Sequence, residues 1–246
     1  MRNSFIFLEI TMSDGMYGSR AVLYDLLYSE NRDYAAQARR VRSVLTDFGV
    51  DDGADLLEVA CGTGCYLEEL DRWYDMTGTD LSEDMLEIAA RKLPDIELFE
   101  ADMTDFETDR QYDAVLCLFS SIGYVEDRAE LEQTVHNFYD AVKPGGVVVI
   151  EPWDQFEEGR PGMKTYEDDD LKICRQYVAR RDGNKSIWEF HWLVARRDRD
   201  VEYFTDRHVT TLFSPEEYRA AIESAGFDVT DIEPIADRRR LWVGEK

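Results

Sequence analysis

The spacing of apolar and polar positions changes character along the chain. Between residues 55 and 150, short apolar runs alternate with amphipathic stretches of helical period. The runs at 55–60, 75–79, 96–100, 112–119 and 147–150 predict buried strands. The stretches 65–73, 82–92 and 127–142 predict helices, the last carrying Leu131, Val135, Phe138 and Val142 on one face. Ser82 stands at an N-cap, with Glu83 and Asp84 in the first turn where the helix dipole favours them. Such βα alternation implies a parallel, doubly wound sheet. Ahead of it, residues 16–48 predict two helices, the second capped by Asp33.

After Ile150 the period shortens. Residues 171–180, 186–197 and 200–212 read as successive strands separated by Arg181-Asp182-Gly183-Asn184 and Arg197-Asp198-Arg199-Asp200. Turns of this composition build an antiparallel sheet, expected to cap the crevice over about 160–212. Ser214-Pro215 then starts a helix that ends at Ala225-Gly226. Strands near 227–234 and 240–244 finish the chain as an antiparallel edge. Residues 1–15 are expected to be a poorly ordered lead, with Met12 and Met16 as candidate starts, and 16–246 a single domain. The lead's apolar part is too short and interrupted for a signal peptide or a membrane span.

Composition changes this picture in two ways. The net charge of −25 is spread along the whole chain. It argues against a nucleic-acid partner, which needs Lys and Arg patches, and it repels itself in dilute salt. High salt screens that repulsion, so a salt-loving cell is the expected source. The four cysteines, Cys61, Cys65, Cys117 and Cys174, include no second pair and no nearby histidine to complete a zinc pattern. They read as free thiols of a reducing cytoplasm, and no metal is expected.

Candidate chemistry centres on Leu56-Leu57-Glu58-Val59-Ala60-Cys61-Gly62-Thr63-Gly64. A strand-to-helix turn of this kind uses glycine for unusual dihedrals and for close approach of a ligand to the main chain. The N–H groups at the helix start then face the crevice beyond the strand ends, where open α/β sheets bind ligands. In a dinucleotide fingerprint the third glycine would stand at Leu67, so NAD or FAD is weakened without being removed. The segment E-x-A-C-G-T-G resembles the first motif of class I methyltransferases, which bind S-adenosylmethionine (SAM). That family usually has glycine where Ala60 stands, and its acidic residue, here Glu58, orients the loop and the methionine end of the cofactor. Asp80 ends the second strand, where a carboxylate can accept both ribose hydroxyls. Asp102 ends the third and can accept the adenine amino group, with Leu81, Met85 and Met103 against the ring. Each aspartate alone also reads as a cap or a solvated acid. Three acids at three successive strand ends form the more specific signal.

Further segments narrow the resemblance: Val22-Leu23-Tyr24-Asp25-Leu26, Asp33-Tyr34-Ala35, Phe119-Ser120-Ser121-Ile122-Gly123-Tyr124, Glu151-Pro152-Trp153 and Thr211-Leu212-Phe213. They are similar to the sugar N-methyltransferases that dimethylate the amine of nucleotide-linked deoxyamino sugars. The resemblance implies a Rossmann-like seven-stranded mixed sheet, mostly parallel with an antiparallel C-terminal edge, and a small antiparallel cap. It implies SAM as cofactor, a small-molecule amine as acceptor, and a soluble monomer or homodimer. It puts Tyr24, Tyr34, Ala60, Cys61, Gly62, Gly64 and Phe119 at the cofactor, Tyr17 over the sulfonium end and Tyr124 facing the acceptor amine. Histidine stands in place of Tyr124 in some members, and Asp237-Arg238-Arg239-Arg240 departs from a more glycine-rich stretch.

Methyl transfer from a sulfonium is an in-line displacement. Holding the nucleophile about 3 Å from the methyl can supply roughly 7–11 kcal/mol. Trp153, His191 and Arg207 are candidate substrate contacts, and His208 shares the cap strands with His191. Core packing for Trp153, and charge pairing for Arg207 and the Arg238–Arg240 run, are the bland readings. Small-molecule O-methylation, a non-catalytic SAM-binding accessory role and a dinucleotide oxidoreductase remain open at this stage.

Overall fold

The computed structural model describes residues 20–153, 156, 158–232 and 240–246. The lead expected to be poorly ordered lies outside these residues, as do Tyr17, Arg238 and Arg239. Two helices come first, α1 (Ala21–Asn31) and α2 (Tyr34–Asp47), followed by β1 (Asp55–Val59), α3 (Cys65–Leu70), β2 (Asp75–Asp80), α4 (Glu83–Lys92) and β3 (Glu97–Glu100). Then come β4 (Tyr112–Cys117), a 3-10 turn (Ser121–Tyr124), α5 (Arg128–Ala141) and β5 (Val142–Ile150). Four strands follow: β6 (Pro161–Glu167), β7 (Leu171–Asp182), β8 (Lys185–Arg196) and β9 (Glu202–Thr211). The chain closes with α6 (Pro215–Ala225), β10 (Asp228–Ile232) and β11 (Leu241–Glu245).

One sheet has seven strands in the order β10-β11-β5-β4-β1-β2-β3. Strands β1 to β5 pair in parallel, and β11 runs antiparallel to both β5 and β10. This is the predicted mixed sheet with its antiparallel edge. Its strand order reverses beside β1, between β4 and β1, which opens the crevice at the carboxyl ends of β1, β2 and β4. Helices α5 and α6 bury Leu131, Phe138, Tyr218 and Ile222 against one face, and α2 and α3 bury Leu45, Leu67 and Leu70 against the other. The caps are those the polar residues predict. Asp33 accepts from Ala36 N at 2.8 Å, Ser82 from Met85 N at 3.2 Å, and Ser214 and Glu217 form a reciprocal capping box.

The second sheet, β6-β7-β8-β9, is antiparallel throughout. Its inner face, with Ile173, Phe190, Trp192 and Val194, packs on Leu23 and Leu27 of α1 and on Met85 and Ile88 of α4. Helix α1 is thus the seat on which the second sheet rests. Strand β6 is a fourth strand that the polar, proline-led run Pro161-Gly162-Met163-Lys164 conceals. As an edge strand it can begin at a proline, because no ladder partner needs that N–H. Other bounds differ from expectation: β5 begins at Val142, which the helical spacing had assigned to the preceding helix, rather than at residue 147. Helix α3 ends at Leu70 rather than Trp73. Strand β4 ends at Cys117 rather than residue 119, because Phe119 (φ 57°) and Ser120 (φ 60°) are both left-handed and turn the chain out of the sheet. Among the described residues no helix is long and apolar enough to cross a membrane.

Candidate active site

The site is built on the exit from β1. Ala60 leaves the strand with φ 58°, a left-handed conformation that costs a side-chain-bearing residue roughly 1 kcal/mol. Two bonds tie the loop to the neighbouring strand. Cys61 N donates to Thr79 O at 2.9 Å, and Gly62 N donates to Asp80 Oδ2 at 2.7 Å. Gly62 (φ 57°) has open space where a Cβ would point, so a ligand can lie against its main chain. Gly64 (φ 77°) differs: a Cβ there would meet Leu93 Cδ1 at 3.0 Å and Ala89 Cβ at 3.2 Å. Its glycine lets the start of α3 pack tightly on α4.

Asp80 is the hinge of this arrangement. Its second oxygen, Oδ1, accepts from Ser82 N at 2.9 Å. Burial pushes its carboxyl pKa up, and the backbone N–H groups of Ser82, Gly62 and Leu81 work in the opposite direction. Glu58 lies beneath the loop, 2 % exposed, with Oε2 lacking a hydrogen-bond partner. Burial first, and the charge of Asp80 second, push its carboxyl well above the ordinary range, which favours the neutral acid. Glu58 is not among the residues that line the crevice.

The crevice encloses about 220 Å³. Ala60, Gly62, Asp80, Leu81 and Met85 line it, and so do Tyr24, Asp102, Met103 and Tyr124. Asp102 sits at the exposed end, with Oδ1 accepting from Thr104 N at 2.9 Å and from Thr104 Oγ1 at 2.8 Å. Tyr24 is buried against Tyr28 with ring centroids 4.4 Å apart, and burial pushes its phenol pKa well up. Cys61 is buried under the loop, and Tyr34 packs edge-on against Tyr66 at 5.2 Å. Phe119 stacks edge-on with Tyr28 at 5.3 Å, under the guanidinium of Arg32. These last three flank the site without lining the crevice.

The substrate candidates separate. Trp153 joins the two sheets: its Nε1 donates to Ser186 Oγ at 3.1 Å and its ring meets Trp188 at 5.5 Å. His191 and Arg207 lie on exposed positions of the outer cap face, away from the crevice. His191 bonds Tyr203 there at 2.7 Å. Alternation along an antiparallel strand explains this, since Phe190 and Trp192 take the inner face of β8. Arg240, the described member of the C-terminal arginine run, is paired with Asp231. Two groups face inward on β9: His208, weighed with His191 as a candidate substrate contact, and Asp206, which was not singled out. His208 Nδ1 lies 2.8 Å from the Tyr124 hydroxyl, and Asp206 Oδ2 lies 3.0 Å from His208 Nε2.

An open α/β sheet with acids at the ends of β1 and β2, a third just beyond β3 and a glycine turn between β1 and α3 defines a class I methyltransferase that uses SAM. A family model described as a methyltransferase domain matches residues 56–146. The dTDP-3-amino-3,4,6-trideoxy-alpha-D-glucopyranose N,N-dimethyltransferase of Streptomyces venezuelae is 38% identical over 91% of this chain and 96% of its own length. The dTDP-3-amino-3,6-dideoxy-alpha-D-glucopyranose N,N-dimethyltransferase of Streptomyces fradiae is 37% identical over 92% and 91%. The SAM-bound structure of CalS10, an amino pentose methyltransferase from Micromonospora echinaspora, superposes with a TM-score of 0.80 at 28% identity, covering 96% of this chain and 98% of that one. The chain belongs to the SAM-dependent methyltransferases, in the family of the sugar N-methyltransferases.

The residues fit that cofactor. Asp80 accepts backbone N–H groups of the loop and of the α4 start, and its carboxylate has the acceptor capacity for a ribose hydroxyl as well. Gly62 leaves its main chain open to the amino-acid end, and Leu81, Met85 and Met103 offer an apolar wall to the adenine, with Asp102 at its edge.

Proposed function

We propose that this enzyme methylates the amine of a nucleotide-linked 3-amino deoxysugar, and does so twice. The observation that carries the reading is the near full-length similarity to two relatives that both dimethylate a 3-amino sugar on dTDP. When bound, SAM supplies an electrophilic methyl on a positively charged sulfur. The protein's part is to hold the amine in line with that methyl and to exclude water. Asp80 and Gly62 anchor the donor end. The second sheet, seated on α1, would close the acceptor end, where Tyr124 lines the crevice. Trp153 packs its Cβ against Gly123 in the turn that carries Tyr124. Tyr17, which the resemblance assigns to the sulfonium end, lies outside the described residues.

We place the enzyme in a salt-rich reducing cytoplasm, as a monomer or homodimer. A charge of −25 is screened over about 3 Å in molar salt. The test is incubation with SAM and dTDP-linked 3-amino or 4-amino deoxysugars, or with simple phenols, in dilute buffer and in molar KCl, read by product mass. The expected result is stepwise mono- and dimethylation of the 3-amino sugar, faster in KCl. Methylation of phenols with no conversion of either amino sugar would overturn the reading in favour of an O-methyltransferase.

A further inference from the structure

Gly123 stands in the 3-10 turn whose Ser121 and Tyr124 line the crevice. It has no room for a side chain. A Cβ there would meet Trp153 Cβ at 2.8 Å, Trp153 Cγ at 3.1 Å and Thr210 Cβ at 3.5 Å. The turn is thus seated in a cradle with two sides. Trp153, just after β5, is one side, and Thr210, on β9 of the second sheet, is the other. Both sides are tied to one hydroxyl. Ser186 Oγ, on β8, accepts from Trp153 Nε1 at 3.1 Å and lies 2.9 Å from Thr210 Oγ1. It also accepts from Trp188 Nε1 at 2.7 Å.

Strand pairing explains why these groups meet. Ser186 and Thr210 stand opposite each other in the β8–β9 ladder. Ser186 and Trp188 are two residues apart, so both side chains take the inner face. Ser186 is fully buried, and Thr210 is 6 % exposed.

The valences of these groups fix the direction of each bond. An indole N–H only donates, and a serine hydroxyl accepts two hydrogen bonds and donates one. The two indoles occupy both acceptor sites of Ser186 Oγ. Its own proton is left for Thr210 Oγ1. The hydroxyl then has every valence used and a single orientation, and a buried polar network satisfied in this way is rigid. The neighbouring residues of the same two strands hold the far end of the turn. Thr211 Oγ1 donates to Val125 O at 2.6 Å, and Lys185 Nζ donates to Glu126 O. The β8–β9 pair therefore grips the chain from Gly123 to Glu126.

We infer that Ser186 is a positioning residue for methyl transfer: through Trp153 and Thr210 it sets where the turn after β4 stands against the crevice. The inference rests on the reading that the acceptor amine meets the methyl on this side of the crevice. Ser186 is not among the residues that line the crevice, so it acts through its neighbours. The cradle leaves no slack at Gly123, so a tilt of the Trp153 indole is passed on to the turn. An in-line displacement is sensitive to displacements of this kind, and about 1 Å can cost about a hundredfold in rate. The donor end is held by separate hydrogen bonds, from Gly62 N and Ser82 N to Asp80. Loss of the Ser186 hydroxyl therefore falls on turnover and not on SAM binding.

The test uses the full chain with Ser186→Ala, Ser186→Thr, Trp188→Phe and Gly123→Ala, each assayed well below its melting temperature. In Ser186→Ala, kcat on the 3-amino sugar is expected to fall about 10- to 100-fold. KM for the sugar and calorimetric SAM affinity are expected to stay within about threefold of wild type, and intact SAM binding also reports folding. Ser186→Thr keeps the hydroxyl and is expected to return kcat to within about threefold. Trp188→Phe removes more of the sheet's packing but leaves the Trp153–Ser186–Thr210 link, so its kcat is expected to fall less than that of Ser186→Ala. Gly123→Ala presses on the cradle from the other side and is expected to lose kcat with SAM affinity kept, which decides the matter if Ser186→Ala does not fold. In proton NMR the Trp153 Nε1–H resonance is expected to move upfield in Ser186→Ala and to return in Ser186→Thr. An unchanged kcat in either Ser186→Ala or Gly123→Ala would refute the inference. So would a loss at least as large in Trp188→Phe, a loss of SAM affinity that matches the loss of kcat, or a Ser186→Thr enzyme still slow with its Trp153 resonance restored. A wild type that methylates neither amino sugar would instead sink the acceptor reading, and it is seen before any variant is compared.

Discussion

Replacing Asp80 by asparagine is expected to weaken SAM binding about a hundredfold while the protein stays folded. The aspartate carboxylate does two things at once. Oδ2 holds the glycine turn through Gly62 N, and Oδ1 holds the start of α4 through Ser82 N. Its spare lone pairs face the crevice. Asparagine has one acceptor oxygen, and its NH2 must face one of those two N–H donors. One loop contact and one ribose contact are lost together. Hydrogen bonds to a charged group contribute about 1.5–3 kcal/mol each. A net loss of about 3 kcal/mol corresponds to roughly a hundredfold in affinity. Stability changes little, because the buried charge that burial disfavours is removed at the same time. Calorimetric titration checks the expectation, with Asp102→Asn at the exposed rim as a comparison that should lose far less. The pH dependence has a definite sign. Burial raises the Asp80 pKa, so SAM affinity falls on acidification at a higher pH than an ordinary aspartate would impose.

The second large effect is on stability. Glu151→Ala is expected to lower the melting temperature by roughly 6–12 °C, from a loss of about 3 kcal/mol at 2–4 °C per kcal/mol for a chain of this size. Glu151 is buried just after β5. Its Oε2 accepts from Phe119 N at 2.9 Å, and Oε1 lies 3.9 Å from Arg32 Nη2. Phe119 and Ser120 are consecutive left-handed residues with full side chains, a conformation that persists only where its surroundings hold it. Removal of the carboxylate leaves a buried N–H without its acceptor and takes the anion away from a buried guanidinium that keeps Gln37 and Tyr66 as partners. The 3-10 turn that carries Tyr124 hangs from this elbow, so turnover falls with it. Glu151→Gln keeps one acceptor and is expected to lose about half as much. Thermal melting, read beside turnover, checks both variants.

These two residues show what a reader of the chain can and cannot see. Asp80 was legible because it ends a strand beside a glycine turn, and fold topology places strand ends at the crevice. The helix starts at Asp33, Ser82 and Ser214 were legible because capping is local chemistry. Glu151 stood in a recognisable segment, but its partner Phe119 lies 32 residues away. A left-handed Phe119-Ser120 pair has no glycine or asparagine to announce it. Strand β6 was hidden by Pro161 and Gly162, residues that usually mark loops. In the cap, β8 was readable by parity: Trp188, Phe190 and Trp192 share one face, so His191 must take the other. Strand β9 gives less contrast, since Asp206 and His208 alternate with the equally polar Arg207. Only pairing with β8 separates them, and that pairing puts His208 opposite Trp188 on the inner side.

The measurement that bears most directly on the whole account is a calorimetric titration of the wild-type chain, in molar KCl, with SAM, its demethylated product and NAD. The glycine turn tied to Asp80 and the apolar wall at Met85 predict one site that binds SAM and its product and does not bind NAD. Binding of NAD with no binding of SAM would contradict it, and with it the assignment of every acid at the strand ends.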